Sequence, residues 1–423
     1  MAFKRPKGTR DFLPEDMVKR RWLFDAGRPV FEKYGFGEVG TPAFESLELL
    51  TCKDSLGEDA VKDIYRFKDK AGRNMGLRFD PTTPIARIIA SDRSIKLPVK
   101  WYYNFVPMWR YEDTARGRYR EFYQAGAEII GSSQPEADTE ILMLVIDYML
   151  VAGIKNFTIR ANSRQVLDSL AKKLAIKNPE SIFRILDKLD KQGEKQVKKE
   201  LSEFLGDRQI REIFRFIRMS PQGARKYLGV ENLDVEDVIA ALPAKYSKYV
   251  KIDFSIARGL DYYTGFIFET LISGQESLGS VASGGRYDNL IEKYGGEPTP
   301  ATGVGIGVER ILDLLLLLPE TRKMFPKLLN VSPEAFVIPV EEKCAKEAFS
   351  LAQRLRSEGI ATDTDLVGRK LKKNMEYADS RGISYAIIIG EKELKQKKYV
   401  LRDMKKRKES MLPFSGIVKK LKQ

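Results

Sequence analysis

Apolar positions recur with helical spacing between Glu15 and Tyr34, where Trp22, Phe24 and Phe31 alternate with charged groups, and this predicts an amphipathic helix. Tyr34 to Leu50 reads as turn, strand and a further element, with Pro42 ending any helix. Short strands are expected around Met75–Phe79, Val99–Phe105 and Phe122–Ile130. A helix is expected over Glu136–Val151, with Ile141, Leu144, Val145 and Tyr148 on one face, then a strand at Phe157–Ala161. From about Arg164 to Lys245 the texture turns to lysine-rich helical periodicity (Leu167, Leu170, Leu174; Ile182, Leu186, Leu189). Strand patterns return at Lys251–Phe254 and Phe266–Leu271, so the helical stretch reads as an insertion into a sheet domain.

Thr321–Pro333, with Pro326 and Pro333, has the composition of a linker. Beyond it the pattern alternates: strand Phe336–Val340, helix Glu342–Ser357 stopped by Gly359, strand Ala361–Leu366, helix Lys370–Ser380 stopped by Gly382, then strands Tyr385–Ile389 and Tyr399–Arg402. In the first of these helices Ala345, Ala348, Phe349, Ala352 and Leu355 are expected to form the buried stripe. The expected organisation is a domain over residues 1–325 containing the insertion at about 164–245, a linker at 326–333, and an α/β module at 334–423.

The chain has 423 residues and a formal charge of +14, and residues 331–423 carry 21 Lys/Arg against 13 Asp/Glu, so under a quarter of the chain holds over half of the excess. Such an excess suits a polyanionic partner, although a basic pI also serves plain solubility. The longest apolar run, Ile311–Leu318, is interrupted by Asp313 and is too short for a bilayer. The first residues mix Lys4, Arg5 and Lys7 with Asp11, Glu15 and Asp16 and show no apolar leader, which points to the cytoplasm. Two cysteines, Cys52 and Cys344, are too few for a disulfide framework or a thiolate metal site. The chain contains no histidine, which excludes imidazole bases, Ser-His-Asp and Cys-His nucleophiles, and His-ligated metals.

Gly35-Phe-Gly37-Glu-Val-Gly40 spells G-x-G-x-x-G, but a helical pattern precedes it and Thr41-Pro42 follows, where a dinucleotide site needs a strand before and a helix after. No P-loop string occurs. Gly303-Val-Gly305-Ile-Gly307-Val-Glu309-Arg310 leads into an expected helix, Val308–Leu318. It would let backbone approach a flat ligand while Arg310 reaches a phosphate, or it serves tight strand–helix packing. WRYEDTARGRYREFYQAGAE gathers Arg110, Arg116, Arg118 and Arg120 around Glu112, with Tyr119 and Phe122 between them. Arginines in that company suit bidentate phosphate contacts and base stacking, and a solvated charged hairpin is the alternative. If its loop is Asp113–Gly117, then Arg110, Glu112, Arg118 and Phe122 share one region. Ala257-Arg258-Gly259-Leu260-Asp261-Tyr262-Tyr263-Thr264-Gly265 suits a substrate pocket or a turn with packed tyrosines.

With RPKGTRDFLPED, GFGEVGTPAFE and SGGRYDNL, these segments fall in the order and spacing of histidyl-tRNA synthetases, and the resemblance spans essentially the whole chain. It implies an α+β fold: a class II synthetase antiparallel-sheet catalytic core with a helical insertion, plus a C-terminal α/β anticodon-binding domain. It further implies ATP-dependent activation of L-histidine, transfer to tRNA(His), Mg2+ accompanying ATP, and a homodimer built around GFGEVGTPAFE. By position, Arg110 and Arg258 would flank the α-phosphate as the catalytic pair. Glu112 and Phe122 would face and stack on adenine, and Arg118 and Arg310 would hold the terminal phosphates. Asp80, Thr82 and Gln124 would take the α-ammonium side of histidine, with Arg258 at its carboxylate. Glu128, Tyr263 and Tyr262 would read the imidazole. Asp80 stands where bacterial members commonly have glutamate, and Tyr123 where a histidine is frequent. The resemblance leaves room for a non-catalytic regulatory paralogue serving ATP phosphoribosyltransferase, which usually lacks the arginine-turn motif and the anticodon module, and for an amino-acid-sensing domain.

Overall fold

Period-2 alternation and a high glycine content on one face organise the larger part of the chain around a single sheet. The computed structural model describes residues 3–52, 61–115, 117–257, 262–318 and 332–422. These divide into two compact units, Met1–Phe325 and Pro326–Gln423. In the first unit the strands are β1 (Gly37–Glu38), β2 (Phe44–Ser46), β3 (Arg66–Lys68), β4 (Asn74–Leu77), β5 (Val99–Trp109), β6 (Glu121–Ile130), β7 (Phe157–Ser163), β8 (Val250–Ile252), β9 (Phe266–Ile272), β10 (Ala282–Arg286) and β11 (Ala301–Gly307). Eight of them form one sheet in the order β1-β5-β6-β11-β10-β9-β7-β8, while β2, β4 and β3 make a small antiparallel sheet beside it. Within the large sheet only the edge pairs β1–β5 and β7–β8 run parallel.

The first helix, Pro14–Lys33, begins with proline at its first turn and with Glu15 and Asp16 on the positive end of its dipole. Gly27 lets it approach helix Pro135–Val151, because a Cβ there would stand 2.4 Å from the Tyr148 ring. Phe31 stacks on Tyr102 of β5 at 4.8 Å, fixing the helix to the sheet. Gly35 follows this helix and precedes the two-residue strand β1, so the literal G-x-G-x-x-G string opens no helix. Between β7 and β8 the chain forms helices Arg164–Lys173, Pro179–Leu186, Leu189–Leu201, Asp207–Phe216, Pro221–Leu228, Asp234–Ala240 and Ala244–Ser247. They enclose an apolar cluster of their own around Leu167, Ile182, Leu186, Val197, Ile213 and Phe214. Arg160 of β7 stands at the base of this region, bound to Asp253 at 2.9 Å, Asp190 at 2.5 Å and Glu269 at 3.2 Å.

The second unit holds β12 (Ala335–Pro339), β13 (Thr362–Thr364), β14 (Tyr385–Ile389), β15 (Tyr399–Asp403) and β16 (Lys408–Leu412), in the order β13-β12-β14-β15-β16. The first three are parallel and the last two antiparallel. Alternation on β12 explains why both faces are covered: Ala335 and Val337 pack under helix Ala345–Ser357, while Phe336 and Ile338 pack with Ala378 of helix Leu371–Ser380. The buried stripe of helix Ala345–Ser357 is Ala348, Leu351, Ala352 and Leu355. This corrects the expected stripe, since Phe349 is 54% exposed and Ala345 is also exposed. Phe349 is apolar, yet at 100° per residue Leu351 continues the Ala348–Leu355 face and Phe349 does not.

Candidate active site

The face of β6 that carries Phe122, Gln124, Gly126 and Glu128 looks across at Gly307, Gly305 and Gly303 of β11, which pair with Gln124, Gly126 and Glu128 respectively. Three glycines on one face leave a trough. At Gly303 the trough is obligatory, because a Cβ would lie 1.6 Å from Oε2 of Glu128. Glu128 is 1% exposed, and its carboxyl accepts hydrogen bonds from the Thr82 hydroxyl at 2.8 Å and the Tyr287 hydroxyl at 2.6 Å. Burial pushes this carboxyl up to about 8, against the two hydrogen bonds and with help from the nearby negative charge of Asp80.

Asp80 caps the start of helix Thr82–Ser91 by accepting from the Thr83 amide at 2.9 Å, which leaves its Oδ2 buried without a hydrogen-bond partner. Burial raises this carboxyl too, while the Thr83 amide and then Arg110 oppose the shift. Tyr262 is buried, with its ring 4.9 Å from Tyr263 and 5.9 Å from Tyr287. Asp80, Thr82, Glu128, Tyr262 and Tyr263 therefore cluster together, and Gln124 lies on the same strand face one turn of the pleat beyond Gly126.

The arginine-rich segment is a hairpin. The β5–β6 ladder runs to Trp109 and Glu121, and an isolated bridge between Ala115 and Arg118 closes the tip. Arg110 donates to the Phe79 carbonyl at 3.1 and 3.2 Å, and its guanidinium lies 5.2 Å from the Phe122 ring centroid. Glu112 is half-buried, and its backbone carbonyl accepts from Arg120 at 3.2 Å. Arg118 is exposed at the tip. Arg310, on helix Val308–Leu317, reaches that tip: a Cβ on Gly117 would stand 3.1 Å from its Cγ, and its guanidinium binds the Ser280 carbonyl. Arg110 and Phe122 thus share one patch and Arg118 and Arg310 another. Arg116 and the segment Arg258–Asp261 lie outside the described residues. Asp253, close to that segment in sequence, is bound by Arg160 and Ser255.

Sequence reasoning assigned no role to Tyr287, Arg286, Glu309, Arg10 or Arg20. Tyr287 sits in SGGRYDNL, anchored by Arg286, which binds Asp138 at 2.6 Å and the carbonyls of Ser132 and Gln134. Glu309 is 3% exposed and holds Arg20 at 3.0 Å as well as Arg10. The strings containing these residues were visible, but their partners lie 148 to 299 positions away in the chain.

A largely buried cluster of carboxyls and tyrosines thus stands beside the arginine hairpin. Residues 8–311 match the family model described as histidyl-tRNA synthetase, and residues 334–423 match that of an anticodon-binding domain. Chains named histidine–tRNA ligase from Pyrococcus furiosus and Pyrococcus abyssi are 41% and 40% identical to this one, each over 99% of its length and over 98% and 99% of theirs. The crystal structure of histidyl-tRNA synthetase from Nostoc superposes with a TM-score of 0.78 at 28% identity, covering 100% of this chain and 99% of that one. The chain belongs to the histidyl-tRNA synthetase family.

Proposed function

We propose that this chain activates L-histidine with ATP and transfers it to the 3′ end of tRNA(His), with Glu128 reading the imidazole and the β5–β6 hairpin holding the nucleotide. The observation that carries this reading is the pairing, in one buried pocket, of a glycine-floored carboxyl at Glu128 with an unpartnered carboxyl oxygen at Asp80. A flat ring bearing an N–H fits over the first, and an ammonium satisfies the second. An amino acid lacking the ring nitrogens would offer Glu128 no N–H in exchange for the water it displaces, which is how polar pockets reject isosteres. Thr82 and Gln124 complete the ammonium side and Tyr262 packs beside the ring.

In the first step the substrate carboxylate, already ionised at neutral pH, attacks the α-phosphorus and pyrophosphate leaves. No general base is required, consistent with a chain that has no histidine. The work left to the protein is positioning and neutralising charge. Arg110 and Arg258 flank the α-phosphate, Glu112 and Phe122 take the adenine, and Arg118 and Arg310 take the terminal phosphates. In the second step the terminal ribose hydroxyl of tRNA attacks the acyl carbon and AMP leaves. Among the described residues no group of three or more acidic or cysteine ligands forms a metal centre. Mg2+ would arrive on ATP, where phosphate oxygens supply most of its ligands and one or two carboxylates the rest.

The second unit reads the anticodon arm. Exposed Lys370, Lys372 and Lys373 at the start of helix Leu371–Ser380 support this, being placed to follow phosphates. The chain acts as a homodimer in the cytoplasm; among the described residues no helix is long and apolar enough to cross a membrane. Charging of a tRNA(His) transcript with labelled histidine tests the reading: acylation that needs both ATP and histidine supports it, and absence of acylation at micromolar enzyme removes it.

A further inference from the structure

Glu309 is an acid immediately beside Arg310, in a region that the proposed function reserves for phosphates. It is buried, and two arginines from elsewhere in the chain converge on it. Arg20, on the first helix, donates to both carboxylate oxygens at 3.0 and 3.1 Å. Arg10, in the segment before that helix, binds Oε2. Both guanidiniums also cover aromatic rings on the returning arm of the hairpin: Arg10 lies 3.5 Å from the Tyr119 ring centroid and Arg20 lies 4.3 Å from that of Tyr123 on β6. Phe12 fills the space between them, 4.0 Å from the Arg20 guanidinium and edge-on to Tyr123 at 6.1 Å. The backbone joins in, since the Gly8 carbonyl accepts from the amides of Arg120 at 2.9 Å and Glu121 at 3.4 Å. A Cβ on Gly8 would strike the Arg120 side chain at 2.6 Å, and its φ is +84°.

Alternation along β6 decides what this cluster supports. Tyr123 points to the face opposite Phe122 and Gln124, so Arg20 grips the back of the strand whose front carries the adenine-stacking ring. The same carboxylate is covalently one residue from Arg310. Two guanidiniums on one carboxylate also leave a surplus positive charge, and Arg10 Nε and Arg20 Nη2 are buried without hydrogen-bond partners.

We propose that Arg10, Arg20 and Glu309 form a latch that positions the nucleotide site, locking the N-terminal RPKGTRDF segment behind the hairpin so that Phe122 and Arg310 are held at a fixed separation. This rests on the reading of the hairpin as the ATP site. The latch touches no substrate, so its members are positioning residues, and it gives Tyr123 a role as the platform for Arg20.

The test uses the full chain and ATP–pyrophosphate exchange with ATP and histidine varied separately. Arg10→Ala leaves the Arg20–Glu309 pair intact, so the buried carboxylate keeps a partner and the fold survives. It should raise the KM for ATP about tenfold or more, as displaced positioning groups do, while the KM for histidine stays within about twofold. Arg10→Lys should recover part of the loss, because a point charge still meets the carboxylate but stacks poorly on Tyr119. Glu309→Gln should shift the KM for ATP in the same direction. Equal changes in both KM values, or none in Arg10→Ala, would overturn the latch while leaving the ATP reading intact. Absence of histidine-dependent exchange in the unsubstituted chain would overturn both.

Discussion

Replacing Gly303 by alanine isolates the histidine pocket from everything around it. The added methyl would stand 1.6 Å from Oε2 and 2.6 Å from Cδ of Glu128, with the Ala127 carbonyl at 2.9 Å. Neither strand can yield, since β11 is paired on both sides, with β6 and β10. The glutamate side chain must therefore leave its position and give up the hydrogen bonds from Thr82 and Tyr287. Each such bond is worth about 1–1.5 kcal/mol. Those two bonds are lost with or without histidine and so lower stability, while the lost contact to the imidazole N–H, about 1.5–3 kcal/mol for a charge-assisted bond, raises the KM for histidine roughly 10- to 10²-fold. The KM for ATP should stay within about threefold, because Phe122 lies six residues further along β6. Gly305→Ala is the matched comparison: its Cβ would meet nothing closer than the Gln124 amide at 3.7 Å, and it should raise the histidine value less than about tenfold. Pyrophosphate exchange with both substrates varied, alongside a melting curve for each variant, measures all of this. A folded Gly303→Ala chain whose KM for histidine moved less than threefold would refute the placement of Glu128 in the pocket.

Glu128→Gln should weaken histidine recognition more than ATP binding, and it should also change the pH dependence of stability. The Glu128 carboxyl is held at about 8 when folded and ionises near its ordinary 4.5 when unfolded, so between those values the folded chain holds the extra proton and loses stability as pH rises. Relative to the unsubstituted chain, Glu128→Gln should gain up to about 4 kcal/mol between pH 5 and pH 8 in denaturant titrations, and parallel profiles would contradict that. Arg258→Ala should lower the rate of adenylate formation by on the order of a hundredfold, with Arg258→Lys restoring only part. An alanine variant that melted early yet exchanged normally would make Arg258 structural instead. A chain ending after Leu318 should still form histidyl-adenylate and charge tRNA poorly; equal charging would separate anticodon reading from the second unit. Sedimentation at micromolar concentration should show a dimer, and a stable monomer would exclude the proposed interface.

Much of both units was legible because strand and helix periods change cleanly along the chain. Strand Tyr385–Ile389 falls where expected, and β6 and the first helix differ by a residue or so at their ends. Helix Thr82–Ser91 was not among the expected elements; its two prolines, Pro81 and Pro84, lie at its start, where missing amides do no harm. Strand β16 and helix Phe414–Leu421 were missed among lysines: β16 is a charged edge strand, and only Ile417 of the helix is fully buried. At the site, the residue types of the pocket and hairpin could be read from their strings. What could not be read was which groups they meet, because the Glu309 latch and the Tyr287–Glu128 bond join residues far apart in sequence.

The most direct test of the central claim is ATP–pyrophosphate exchange by the full chain with each of the twenty amino acids offered singly. The account predicts exchange with L-histidine and at least about a hundredfold less with any other, since no competitor offers Glu128 an imidazole N–H in exchange for the water it displaces. Exchange supported by a different amino acid, or by none, would contradict it.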